Sequence, residues 1–169
     1  MSGMLSSIVR ISIRSAVMAL FVLFAAAVSA SAQQPAGNIV FPKSELTIRT
    51  AAGKDYPFTI ELALDDPQRE YGLMFRKQMD PDHGMLFDFG AARRVSMWME
   101  NTVLPLDMVF IQADGTISHI KENAVPFSRD IIDSHGPVNY VLELNAGRTR
   151  TLGIKVGDKV TGKPIHNGG

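Results

Sequence analysis

The chain has no cysteine among its 169 residues, so neither a disulfide framework nor thiol chemistry is open to it. Charge of one sign is lacking too, since 17 basic residues are matched by 17 acidic ones. Both signs are interspersed with no basic stripe, which removes the electrostatic basis for nucleic-acid binding. The four histidines stand singly at His83, His119, His135 and His166, with no His-x-His or zincin spacing. No metal or other cofactor is therefore expected. Also missing is an apolar run long enough to cross a bilayer. Ala16 to Val28 is uncharged for 13 residues, against about 20 needed for a spanning helix.

That short run has a different meaning. Arg10 and Arg14 precede it, and Ala30-Ser31-Ala32 follows it with small residues flanking a cleavage point before Gln33. This is the order of a secretory leader, expected over residues 1–32, with the protein delivered to the periplasm or cell envelope. With no cysteine after the apolar run, a lipoprotein anchor is excluded, and no stable membrane insertion is expected once the leader is removed. A short tether, residues 33–43, would then lead into one globular domain over 44–163 with a tail at 164–169. Removing the leader leaves 15 basic and 17 acidic residues. A chain of this size can bury a core unaided.

Within the domain the pattern is mostly period two. "ELTIRT" and "PFTIELAL" alternate around a glycine turn and read as a hairpin. Asp66-Pro67 predicts a helix start with Asp66 as cap, and Gly72 its stop. "GMLFDF" reads as a strand with Met85, Phe87 and Phe89 inward, and "RRVSMWM" as another. "MVFIQADGTISHIKE" predicts a hairpin about Asp114-Gly115. An irregular segment is expected from Ala124 to Pro137. "VNYVLELN" then places Val138, Tyr140, Leu142 and Leu144 on one face. Asn145 is expected to cap a helix ending near Gly153, and a turn and final strand close the chain. About seven strands with two short helices suggest a compact, partly closed antiparallel sheet.

The candidate site residues cluster in "SMWMENTVLPLD". Alternation turns Trp98 away from the Met97/Met99 face. It is either sealed under a loop or offered as a stacking platform. Asn101 suits a turn. Asp107 enters an apolar strand, where it either pairs with turn amides or Arg76, or serves as a catalytic acid or base. Arg76 is expected to pair with Asp107 or Glu143, or to bind an anion. Ser134-His135 lacks the strand-turn-helix setting of a nucleophile elbow.

"EYGLMFRKQM", "GMLFDF", "SMWMENTVLPLDMVFI", "GTISHIKENAVP", "GPVNYVLELNAG" and "LGIKVGD" together resemble the domain-of-unknown-function 192 family (DUF192, UPF0127) across Glu45 to Val160. The resemblance implies an α+β, sheet-dominated domain, often exported, with no established activity. Members often carry lysine where this chain has Glu100, and cysteine where it has Phe127, so a thiol mechanism cannot operate here.

Three functions remain open on the sequence. One is a binding domain for a small polar ligand, such as a sugar or cell-wall fragment, using Trp98, Asn101, Asp107, Arg76, Ser134 and His135. Another is a hydrolase using Asp107 with Arg76 or His135. The third is an envelope scaffold, its protein partner unspecified. A pocket uniting Trp98, Asp107 and Arg76 would favour the first two, and a buried carboxylate of raised pKa would favour catalysis.

Overall fold

The computed structural model describes residues 39–165. The expected leader, most of the tether and the end of the tail lie outside the described residues. Within them the order is β1 (Lys43–Arg49), β2 (Asp55–Ala63), α1 (Asp66–Tyr71), β3 (His83–Met97), β4 (Leu106–Ile111), β5 (Ile117–Ala124), β6 (Ile132–Asn145), α2 (Arg148–Leu152) and β7 (Lys159–Thr161).

The seven strands form one sheet in the order β5-β4-β6-β3-β2-β1-β7. The β1–β2 and β4–β5 hairpins form as expected. The expected partly closed, strand-dominated sheet with two short helices forms, and it is antiparallel except at one pairing, where β2 and β3 are parallel. The chain between them carries α1, and a parallel neighbour requires such a crossover. The sheet curls until its two edges meet at one end. Ile117 N–H donates to the Asp158 carbonyl at 2.9 Å, and Val160 N–H to that of Gly115 at 2.8 Å. A side chain at Gly115 would collide with the Val160 carbonyl, its Cβ only 2.2 Å away, so the seam needs glycine there.

Both faces of the central strands are covered. One core draws on all seven strands, with Ile48, Phe58, Leu86, Val109, Leu142 and Val160 among its buried members. This is the inside of the curl. The second lies on the outer face, where Met85, Phe87, Met108 and Val141 pack with Leu73, Met99 and Leu104 from the connections. Every residue of β4 is therefore buried. In "GMLFDF", likewise, Leu86 is buried beside Met85 and Phe87, where alternation alone would expose it.

Three further expectations shift. α1 is capped by Asp65, not Asp66. Its carboxylate accepts from Gln68 N–H while the Gln68 side chain returns to the Asp65 N–H, and Pro67 falls one position deeper. "GMLFDF" and "RRVSM" are one strand, interrupted where five steps along β3 from Asp88 to Arg93 match two along β6 from Tyr140 to Val138. The irregular stretch is half the expected length, residues 125–131, because β6 begins at Ile132 to pair with Met97.

Candidate functional site

One row of residues crosses the outer face of the sheet. Glu61 on β2 neighbours Met85 on β3, Met85 neighbours Glu143 on β6, and Glu143 neighbours Met108 on β4, which faces Lys121 on β5. The charges at the ends of this row are accommodated. Glu61 receives two 2.7 Å hydrogen bonds from Arg76, which hold its carboxyl below the usual range, and Lys121 is exposed. Glu143, in the middle, is flanked by two thioethers instead. It is 4% exposed, and no described group hydrogen-bonds its side chain. Burial with no compensating partner pushes its pKa up to about 8.

Above Glu143 lies a cavity of about 180 Å³, between α1 with the segment after it and strands β3 and β6. Leu73, Phe87, Phe89, Met97 and Trp98 supply its apolar walls. The interruption in β3, with Gly90 at φ 73°, lets the strand bend next to Phe89. Arg93 returns over the Phe89 ring, its guanidinium 4.8 Å from the centroid. Trp98 follows the last residue of β3 and is 42% exposed, so it stands at the mouth while Glu143 forms the floor. A titrating carboxyl in an apolar recess can donate a hydrogen bond when neutral or hold a cation when ionised.

Of the six site residues expected from sequence, only Trp98 reaches this cavity. Asp107 is fully buried and structural. It accepts from Asn123 N–H, Gly147 N–H and Thr149 N–H at 3.0 Å each, and from the Thr149 hydroxyl at 2.7 Å. It thereby caps α2, the task expected of Asn145, whose amide instead donates to the Met79 and Asp80 carbonyls. Backbone amides and the Thr149 hydroxyl, not Arg76, are its partners, and Arg76 pairs with neither expected acid but with Glu61. Asn101 lies in a turn at φ 55° closed by Thr102 N–H to the Met99 carbonyl, with its own carbonyl accepting from Phe75 N–H and its side-chain amide directed to the Met74 sulfur, not to the backbone two residues on. Ser134 is buried, accepting from Val95 N–H and donating to the Gly136 carbonyl, so its hydroxyl is committed to structure.

His135 belongs to a separate hollow beside β5 and β6. Its ring meets His119 edge-on with centroids 4.5 Å apart. Burial, and then the charge of His135, lower the pKa of His119. Asp133 below them is held by Arg94 at 3.0 Å. The six residues are thus dispersed, and the buried carboxylate that faces a cavity is one the alternation pattern assigned to the outer face. Its only signal in the sequence is a lone acid inside the otherwise apolar "YVLEL".

Comparison with known proteins agrees with this architecture. The profile of the DUF192 family, described as Uncharacterized ACR, matches residues 47–162. A protein from Sinorhizobium meliloti 1021, described as a candidate transcription regulator, is 58% identical in a crystal structure with a TM-score of 0.73. That match covers 75% of this chain and 98% of the other. A protein of unknown function from Novosphingobium aromaticivorans DSM 12444 is 34% identical with a TM-score of 0.68, covering 75% of this chain and 95% of its own. No curated protein gives a significant match.

Proposed function

The chain belongs to the DUF192 family, and for this member we propose a small-ligand-binding function seated in the Trp98–Glu143 pocket. The observation that carries it is the unpartnered carboxyl of Glu143 beneath a half-exposed tryptophan. Burying a carboxyl without a partner is costly, and a ligand that supplies one recovers that cost on binding. The apolar walls suit one flat face of a ligand, and the floor suits a single polar group. Glu143 takes the role that sequence considerations assigned to Asp107, Asn101 and Arg76.

Trp98 is the only indole in the chain and reports its own site. A thermal-shift screen over sugars, amino acids, amines and nucleotides identifies binders, since ligands selective for the folded state raise its melting temperature. Any binder is expected to change Trp98 emission saturably and to bind Trp98→Phe about threefold to tenfold more weakly. A binder that leaves emission untouched and tolerates both Trp98→Phe and Glu143→Gln removes the pocket from consideration.

Catalysis is a second reading, favoured by the raised pKa of Glu143, which suits a general acid near neutral pH. Asp107 is unsuited to the role, its oxygens being fully engaged. Delivery to the envelope is part of the proposal and rests on the leader pattern alone. Intact mass of the envelope fraction should show a chain beginning at Gln33, and a full-length chain in the cytoplasm would refute it.

A further inference from the structure

We propose that the ligand is a compact organic ammonium ion, seated between the aromatic walls with its charge on Glu143. This rests on the reading of the pocket as a ligand site and names the chemical class that the site takes. Tyr71, Phe87, Phe89 and Trp98 bring four aromatic rings to one cavity, of which Phe89 already carries the guanidinium groups of Arg93 and Arg69, leaving the other three for a ligand. Ring faces attract cations, most strongly where water is excluded. The protein illustrates the preference itself, with the Arg93 guanidinium lying over Phe89. A cavity of about 180 Å³ also has room for a single six-membered ring, since cavities of about 150 Å³ accept benzene.

Among the described residues, no cation serves Glu143. Arg69 is committed to the Leu64 and Asp88 carbonyls at 2.6 and 2.7 Å and to the Asp66 carboxylate. Arg93 is placed over Phe89, and neither arginine contributes to the titration of Glu143. Around the rim, Asp66 and Glu70 of α1 balance Arg69 of α1 and Arg93 of β3, with the Tyr71 hydroxyl the remaining titratable group there. On the flanking strands, Glu61 of β2 is neutralised by Arg76, and Lys121 of β5 lies exposed beyond Met108. The β4 residues on this face, Leu106, Met108 and Phe110, carry no charge. Glu143 therefore sets the sign of the pocket. An entering ammonium ion converts its carboxyl to carboxylate and releases that proton to solvent. Affinity should accordingly rise with pH until Glu143 is ionised without ligand, and level off above.

The test titrates the folded protein as isolated with benzylammonium, its neutral counterpart benzyl alcohol, and benzoate, following Trp98 emission between pH 6 and 8.5. Benzylammonium is expected to bind at least about tenfold more tightly than benzyl alcohol at pH 8, with affinity increasing as pH rises. Calorimetry in two buffers of different ionisation enthalpy should show proton release for the cation alone, a measurement that needs no variant. Glu143→Gln should erase the preference for the cation and its pH dependence while benzyl alcohol binding persists. Binding of benzyl alcohol or benzoate as tightly as the cation overturns the ammonium inference and leaves the pocket reading standing. Failure of all three to bind, in a protein that another small molecule saturates at Trp98, overturns the ammonium inference alone. Failure of every compound, those of the screen included, overturns both.

Discussion

Asp107 and Glu143 are two buried carboxylates on adjacent strands, one residue apart in register: Asp107 pairs with Leu144, and Met108 with Glu143. They point to opposite faces of the sheet, and their surroundings differ completely. Asp107 meets four donors gathered from the end of β5 and the start of α2. Glu143 meets two methionine neighbours and a cavity. Burial alone therefore does not mark a functional acid. What separates the two is whether the fold has already spent their acceptor capacity. A charge surrounded by amides joins elements together, whereas one left unmet is available to something outside the chain.

Truncation should expose that difference most strongly at Asp107. Asp107→Ala strands the amides of Asn123, Gly147 and Thr149 and uncaps α2. A loss of about 3–5 kcal/mol is expected, visible as a lower denaturation midpoint at pH 7. An unchanged midpoint would mean that water serves those donors equally well and would dissolve the contrast.

Glu143 should respond in the opposite direction, and with a pH signature. Its folded pKa lies above the ordinary carboxyl value, so between that value and about 8 the folded state keeps a proton that the unfolded state releases. Stability from this group is thus fully present at low pH and lost as pH rises through the window. Glu143→Gln removes the loss. The variant should match the parent near pH 5 and exceed it by about 2–4 kcal/mol at pH 9. Parallel pH–stability curves for the two proteins would show that Glu143 is solvated after all.

The smallest effect belongs to the pair that shares the row with Glu143. Arg76→Gln leaves Glu61 without its guanidinium at a half-buried site, and a loss of about 1 kcal/mol is expected. Because the pair lowers the carboxyl pKa of Glu61, its contribution should be present at neutral pH and fade as pH falls through that lowered value. A loss as large as that for Asp107→Ala would place Arg76 among the groups that the fold cannot spare.

Local chemistry was enough to place most elements. The Asp114-Gly115 turn, the Gly72 and Gly153 stops and the alternation in β1 and β2 act over a few residues and survive assembly. The structural role of Asp107 was legible for the same reason, since a carboxylate entering an apolar strand must find donors. Its partners were not, because Asn123 and Thr149 come near only when β5 and α2 pack beside β4. The same limit applied to Arg76, which found Glu61 across the crossover.

By itself, then, the sequence determined a cysteine-free, strand-rich domain of the DUF192 family. It also determined where its hairpins turn, because turn geometry and side-chain period are local properties. Only the tertiary structure decided which buried acid faces a cavity. Period two assigns Glu143 to the face opposite Leu142 and Leu144, and on a one-sided sheet that face would be water. Here the sheet curls over one core while α1 and the connections cover the other side, so the same alternation delivers a carboxyl into an apolar pocket.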